Sequence, residues 1–161
     1  MMTETSQDFS DMLIPSELQT NSAEETEIIG ADLATLMLSD PSLPPFVALY
    51  GDLGVGKTAF VRGFTSRISP NARVKSPTFA LVNEYKGEGL SVFHFDMYRI
   101  ESEDELYSIG FYDYADRRGI CLVEWSENIE DSLPDSYIRV EIVKNSSTDP
   151  DSRRLTISKV G

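Results

Sequence analysis

The chain has 161 residues, 40% apolar and 25% charged, the proportions of one ordinary globular domain. No apolar run approaches the roughly 20 residues of a membrane-spanning helix, the acid-rich N-terminus does not read as a secretory leader, and a single cysteine, Cys121, allows no internal disulfide; together these features predict a cytoplasmic protein with no membrane partner. The net charge of −13 disfavours unaided nucleic-acid binding, which rests on Lys and Arg neutralising phosphates.

The acidity is concentrated at the start. Residues 1–56 carry ten acids and no Lys or Arg, whereas residues 57–161 carry seventeen acids against fourteen bases. Residues 1–16 are predicted to form an acidic, flexible tail, and 17–161 one domain. Ser22-Ala-Glu-Glu25 matches a capping box and starts a helix, with Ile29, Leu33, Leu36 and Met37 on one face. The prolines of Asp40-Pro-Ser-Leu-Pro-Pro45 stop it. Phe46-Val-Ala-Leu-Tyr50 is an apolar strand, and Thr58-Ala-Phe-Val-Arg-Gly-Phe-Thr65 a helix.

Between them lies Gly51-Asp-Leu-Gly-Val-Gly-Lys-Thr58, which fits the phosphate-loop pattern G-x-x-x-x-G-K-[ST] at every fixed position. Its glycines, Gly51, Gly54 and Gly56, let the backbone curl so that N–H groups, including those of Asp52, Leu53 and Val55, point at phosphates. Lys57 can reach the β and γ phosphates, and the hydroxyl of Thr58 can take Mg²⁺. The helix N-terminus adds partial positive charge. Strand, loop, lysine and helix agree, and the chain is expected to bind a nucleoside triphosphate.

Further along, Phe79 to Tyr85 and Leu90 to Phe95 read as a hairpin turning at Gly87-Glu-Gly89. Glu101 to Ile109 is predicted to be a short acidic helix, and Asp113 to Arg118 a further helical turn. Ile120-Cys-Leu-Val123 is a strand buried on both faces. Tyr137 to Val143 and Arg154 to Ser158 alternate as late strands. The fold class is α/β: a P-loop NTPase-like three-layer fold with a mixed parallel and antiparallel central sheet flanked by helices.

A phosphate loop needs a second acid at a strand end to hold Mg²⁺, directly or through water. Glu124 and Asp96 both qualify, and periodicity does not rank them. Thr78, in the Pro-fixed turn Lys75-Ser-Pro-Thr-Phe79, could close on the γ-phosphate or simply lead into a strand. His94 shares a strand face with Asp96 by the period of two, and a hydrogen-bonded structural role is its simpler reading. Trp125 could lie against nucleotide, partner or core. Arg117-Arg118 could form a lid, or serve only as surface charge.

Together the phosphate loop, Val74-Lys-Ser-Pro-Thr-Phe79, Val92-Phe-His-Phe-Asp-Met-Tyr-Arg99 and Leu122-Val-Glu-Trp125 resemble the bacterial TsaE family. These are small P-loop ATPases of tRNA threonylcarbamoyladenosine biosynthesis, also known as YjeE. The resemblance covers roughly residues 22–127, with the four motifs in the family's order. It implies that Lys57 and the loop amides hold the phosphates of ATP or ADP, with Thr58 and Glu124 on Mg²⁺. It places Thr78 in a switch-like loop and Asp96 in a second one needed for hydrolysis, with Trp125, Glu127 and Ser22 beside the nucleotide. The implied partners are the TsaB–TsaD complex, with tRNA reached only indirectly. A small-molecule kinase, with Asp96 as base and the arginine pair as lid, and a nucleotide-gated binding switch are the competing readings. No Asn-Lys-x-Asp motif occurs, which argues against a guanine-specific switch.

Overall fold

Phe46–Tyr50 is a run of five buried residues, and it forms the middle strand of a seven-stranded sheet in the computed structural model, which describes residues 12–52, 54–77, 81–145 and 149–161. In chain order the elements are β1 (Ser16–Thr20), α1 (Ala23–Ser39), β2 (Phe46–Tyr50), α2 (Lys57–Ser66), β3 (Val82–Lys86), β4 (Ser91–Asp96), α3 (Glu103–Ser108), β5 (Gly119–Glu124), β6 (Tyr137–Lys144) and β7 (Arg153–Val160). Two 3-10 helices, Phe111–Asp116 and Ser126–Ser132, precede and follow β5.

The sheet order is β1-β7-β6-β2-β5-β4-β3. β2 runs parallel to both β5 and β6, and β4 runs parallel to β5. Antiparallel partners close the edges: β3 on β4, β7 on β6 and β1 on β7. Of the four parallel strands, β2, β5 and β4 end within one residue of register, so the loops that leave their C-terminal ends lie side by side, as ligand-binding loops do in open α/β sheets. The mixed three-layer α/β architecture is therefore the expected one.

Alternation on the strands feeds two apolar clusters. Val47, Leu49, Val92, Ile120 and Leu122 point toward α1 and α2, where they meet Leu33, Phe60, Val61 and Phe64. Phe46, Ala48, Phe93, Phe95, Cys121 and Val123 occupy the opposite face, under Leu106, Phe111 and Ile129. Full burial of each large side chain contributes about 1.5–3 kcal/mol. Cys121 is one of these packing residues; burial pushes its thiol up to about 12, so it is held as an unreactive hydrophobe.

Helix α1 starts at the predicted cap: Ser22 Oγ accepts from the Glu25 amide at 3.1 Å, while the Glu25 carboxylate accepts from the amide of Asn21, one residue before the cap, at 2.7 Å. Ile29, Leu33 and Met37 are buried, and Leu36 packs at the margin of the core. Helices α1 and α2 touch backbone to backbone. A Cβ on Gly30 would lie 2.2 Å from the Phe60 carbonyl oxygen, and one on Gly63 1.8 Å from that of Glu27.

Differences from expectation lie at short or polar elements. β3 covers Val82–Lys86 rather than Phe79–Tyr85, and Phe79 lies outside the described residues. The strand β1 and the 3-10 helix Ser126–Ser132 appear where periodicity predicts none. Met12 is buried in the first cluster, ahead of β1; residues 1–11 lie outside the described set.

Candidate nucleotide-binding site

The loop between β2 and α2 is built on glycines that other residues could not replace. Gly51, Gly54 and Gly56 have φ of 146°, 81° and 111°, which L side chains rarely adopt. A Cβ on Gly51 would also lie 2.6 Å from the Ile142 carbonyl oxygen. Gly56 is the N-cap of α2 with no side-chain cap, so the helix's first amides are left to face an anion. Leu53 lies outside the described residues; Gly51, Asp52, Val55, Lys57 and Thr58 stand where the motif predicts.

Lys57, Thr58, Ser76, Asp96, Glu124 and Trp125 line one cleft of about 280 Å³ together with Gly54 and Gly56. Lys57 is buried, its Nζ donates to the Gly51 carbonyl, and it sits 3.8 Å from the centre of the Trp125 ring. Burial lowers the pKa of this ammonium, while the charges of Glu124, Glu127, Asp96 and Asp52 pull it back up. The carboxylates come from neighbouring strand ends: Asp96 and Glu124 are registered partners across the β4–β5 ladder. Burial raises the Asp96 carboxyl above its ordinary range, and the Glu124 charge adds to this; the Tyr98 amide at 3.0 Å and the charge of Lys57 oppose it.

The segments after these two acids are tied to each other. The Met97 amide donates to the Glu124 carbonyl at 3.0 Å, and Asn128 Nδ2 donates to the carbonyls of Met97 and Tyr98 at 2.9 and 3.2 Å. The rings of Tyr98 and Trp125 lie 4.9 Å apart. Trp125 has φ of 59°, a conformation costly for a bulky residue and therefore one that the surroundings must impose. His94 is wholly buried, with Nε2 2.5 Å from Glu124 Oε2, which agrees with its reading as a hydrogen-bonded structural histidine.

Ser22 lines a second pocket of about 180 Å³ on the other side of the loop, with Ala23, Thr26, Gly54, Val55, Gly56, Asp151 and Arg153. Glu127 lines a third, with Tyr50, Gly51, Asp52 and the end of β6. Ser22 and Glu127 thus both border the phosphate loop, but from separate pockets. Thr78 lies outside the described residues. Arg117 does not form a lid. It pairs with Glu84 at 2.9 Å, lies 4.7 Å from the centre of the Phe93 ring, and precedes the start of β5, roughly 17 Å from the strand end that bears Glu124.

Sequence reasoning misses Arg153. Its Nε donates to the Val55 carbonyl at 2.9 Å, so the first residue of β7 braces the phosphate loop. Nothing in the local sequence of Arg153 signals this. Asn128 is missed likewise, because it acts on backbone carbonyls that carry no side-chain signature.

The residues present fit a nucleotide with a divalent cation. Among the described residues no group of three His, Cys, Asp or Glu side chains could cage a metal alone. One or two carboxylates and a hydroxyl beside a phosphate cradle are instead the donor set that Mg²⁺ takes when phosphates and water complete its shell.

A buried parallel strand, a glycine loop with its lysine, a helix and two strand-end carboxylates define a P-loop nucleotide-binding protein. A family model described as "Threonylcarbamoyl adenosine biosynthesis protein TsaE" matches residues 20–155. A Bacillus subtilis protein named tRNA threonylcarbamoyladenosine biosynthesis protein TsaE is 38% identical over 143 residues, covering 89% of this chain and 85% of that one. A Haemophilus influenzae protein of the same name is 46% identical over 96 residues, covering 60% of this chain and 61% of its own length. The crystal structure of Bacillus subtilis YdiB superposes with a TM-score of 0.70 at 31% identity, covering 93% of this chain and 88% of that one. The chain belongs to the TsaE family. Among the described residues no helix is long and apolar enough to cross a membrane.

Proposed function

We propose that the chain is a Mg²⁺-dependent ATPase that supports a TsaB–TsaD complex in forming threonylcarbamoyladenosine beside the anticodon of tRNAs reading codons that begin with A. The observation that carries this reading is the single cleft in which Lys57 and Thr58, at the end of the glycine loop, meet Asp96 and Glu124. Family membership supplies the pathway.

In this reading Lys57 and the amides of Gly51 to Thr58 bind the phosphates, and Lys57 leaves the Gly51 carbonyl to do so. Thr58 and Glu124 would hold Mg²⁺, which when bound neutralises phosphate charge as it develops. Asp96 orients the attacking water and takes up its proton; burial tunes the carboxyl in the direction a proton acceptor at neutral pH needs. Thr78 approaches the γ-phosphate, Trp125 lies over the phosphate side of the nucleotide, and Ser22 and Glu127 flank the nucleoside.

The test is ATP hydrolysis by the chain alone and with a TsaB–TsaD pair, using Lys57→Ala as the blank. Weak activity that rises sharply with the pair is expected. Activity indifferent to the pair would separate the nucleotide site from the proposed pathway role, and activity retained by Lys57→Ala would sink the site itself.

A further inference from the structure

The face of the sheet beneath α2 carries a registered row: Val92 beside Ile120, His94 beside Leu122, Asp96 beside Glu124. Val92, Ile120 and Leu122 belong to the apolar cluster under the helices, and His94 stands among them as a polar residue. His94 has no exposed surface, and its Nδ1 has no hydrogen-bond partner among the described residues. A buried polar atom without a partner is a cost to the fold. Among the described residues the side chain's hydrogen bond is the one to Glu124. The Tyr85 ring covers it, 6.5 Å away and tilted by 31°, and offers it no polar atom. The bond therefore needs a reason beyond packing, and Glu124 supplies one by lining the cleft with Thr58.

We propose that His94 is a positioning residue for Glu124: its Nε2–H donates to one carboxylate oxygen and leaves the second available to the cleft beside Thr58. The tautomer follows from the surroundings. A proton on Nδ1 alone would bury an unpaired donor and set a bare Nε2 against the carboxylate, whereas Nε2–H with a bare Nδ1 leaves only an acceptor unfilled. An outer partner of this kind fixes a metal-side carboxylate in one rotamer, and its loss typically lowers metal affinity 10–100-fold.

The inference rests on the nucleotide site proposed above, so two readouts are used, one of them independent of nucleotide. The chain has one histidine, and long-range ¹H–¹⁵N correlations of a labelled sample report its tautomer without ambiguity. The Nε2–H tautomer with a slowly exchanging proton is expected, with fast exchange in Glu124→Ala. An Nδ1–H tautomer, or an Nε2 proton indifferent to Glu124→Ala, overturns the proposal whether or not nucleotide binds. The second readout is Mg²⁺ titration of the ADP-bound protein for wild type, His94→Gln and His94→Phe, with metal-free ADP affinity measured alongside. Glutamine places an amide N–H close to where Nε2 stands. Metal-free ADP affinity is expected to be equal in all three, the Mg²⁺ midpoint within about threefold of wild type in His94→Gln, and about 10-fold or more higher in His94→Phe. Equal midpoints in all three, or equal loss in both variants with folded circular dichroism spectra, overturn the donor role. If His94→Phe does not fold, the His94→Gln midpoint and the tautomer decide. A wild type that binds no ADP defeats the nucleotide site, and the tautomer measurement still judges the His94–Glu124 bond.

Discussion

Burial acts on Lys57 and Asp96 in opposite directions, lowering the lysine and raising the carboxyl, and each thereby gives up part of its charge preference to stand in the same cleft. For Asp96 the sign is explicit. A folded-state pKa above the unfolded value means that the folded protein holds the proton more tightly, so stability is present at low pH and lost as pH rises through the folded pKa. At neutral pH the ionised Asp96 is a cost to the fold. Asp96→Asn is therefore expected to raise the melting temperature at pH 7, with the gain shrinking toward pH ~3, where the wild-type carboxyl is mostly protonated in both states. Hydrolysis in the same variant is expected to fall about 100-fold or more; a thermal shift series at two pH values and a phosphate-release assay check both. Glu124→Ala is expected to raise the Mg²⁺ requirement more than Asp96→Ala, because Thr58 and Glu124 are proposed as the metal-side pair. A reversed order in a Mg²⁺ titration would exchange the two roles.

Elements place these residues through contacts that differ in how far they reach along the chain. The contact of α1 with α2 is made by backbone, and Gly63→Ala would put a Cβ inside the Glu27 carbonyl. Such overpacking is expected to cost about 1–3 kcal/mol, read as a lower urea midpoint with an unchanged slope. Arg153→Ala removes the brace between β7 and the phosphate loop, and a loss of about 1 kcal/mol in ADP affinity, roughly fivefold, is expected by calorimetry. What could be read from sequence follows the same division. The phosphate loop, its strand, its helix and the Ser22 cap are contiguous and local, and all are legible. Strand β1 is five residues long and pairs with β7 through contacts such as Leu18 with Leu155, so no local pattern announces it. Asp96 and Glu124 are both visible as strand-end acids, but that they are neighbours depends on the order and register of β4 and β5, which alternation does not encode. Arg153 acts on a carbonyl 98 residues away, and the His94–Glu124 bond spans 30. Each needs the assembled sheet to exist.

At the scale of the whole molecule, the charge of −13 and its concentration before the phosphate loop leave the chain poorly suited to hold tRNA by itself. No retardation of tRNA is expected from the isolated protein at micromolar concentration and about 0.15 M salt, and appearance of a complex only when TsaB and TsaD are added would agree with indirect contact. A tight binary complex would contradict it. The glycine seam between α1 and α2 has a mechanical consequence. Two helices separated by side chains can slide on a compliant layer, but carbonyl oxygens packed against bare Cα atoms cannot, and shear motion is excluded there. Ser22, at the head of α1, and Lys57, at the head of α2, thus belong to one rigid block, with Arg153 pinned to the same loop. The opposite wall, Asp96 to Tyr98 and Trp125 to Asn128, is joined by a few backbone and side-chain hydrogen bonds and one ring contact. One side of the site is accordingly a fixed block, and hydrogen exchange in α1 and the body of α2 is expected to stay unchanged when nucleotide is added.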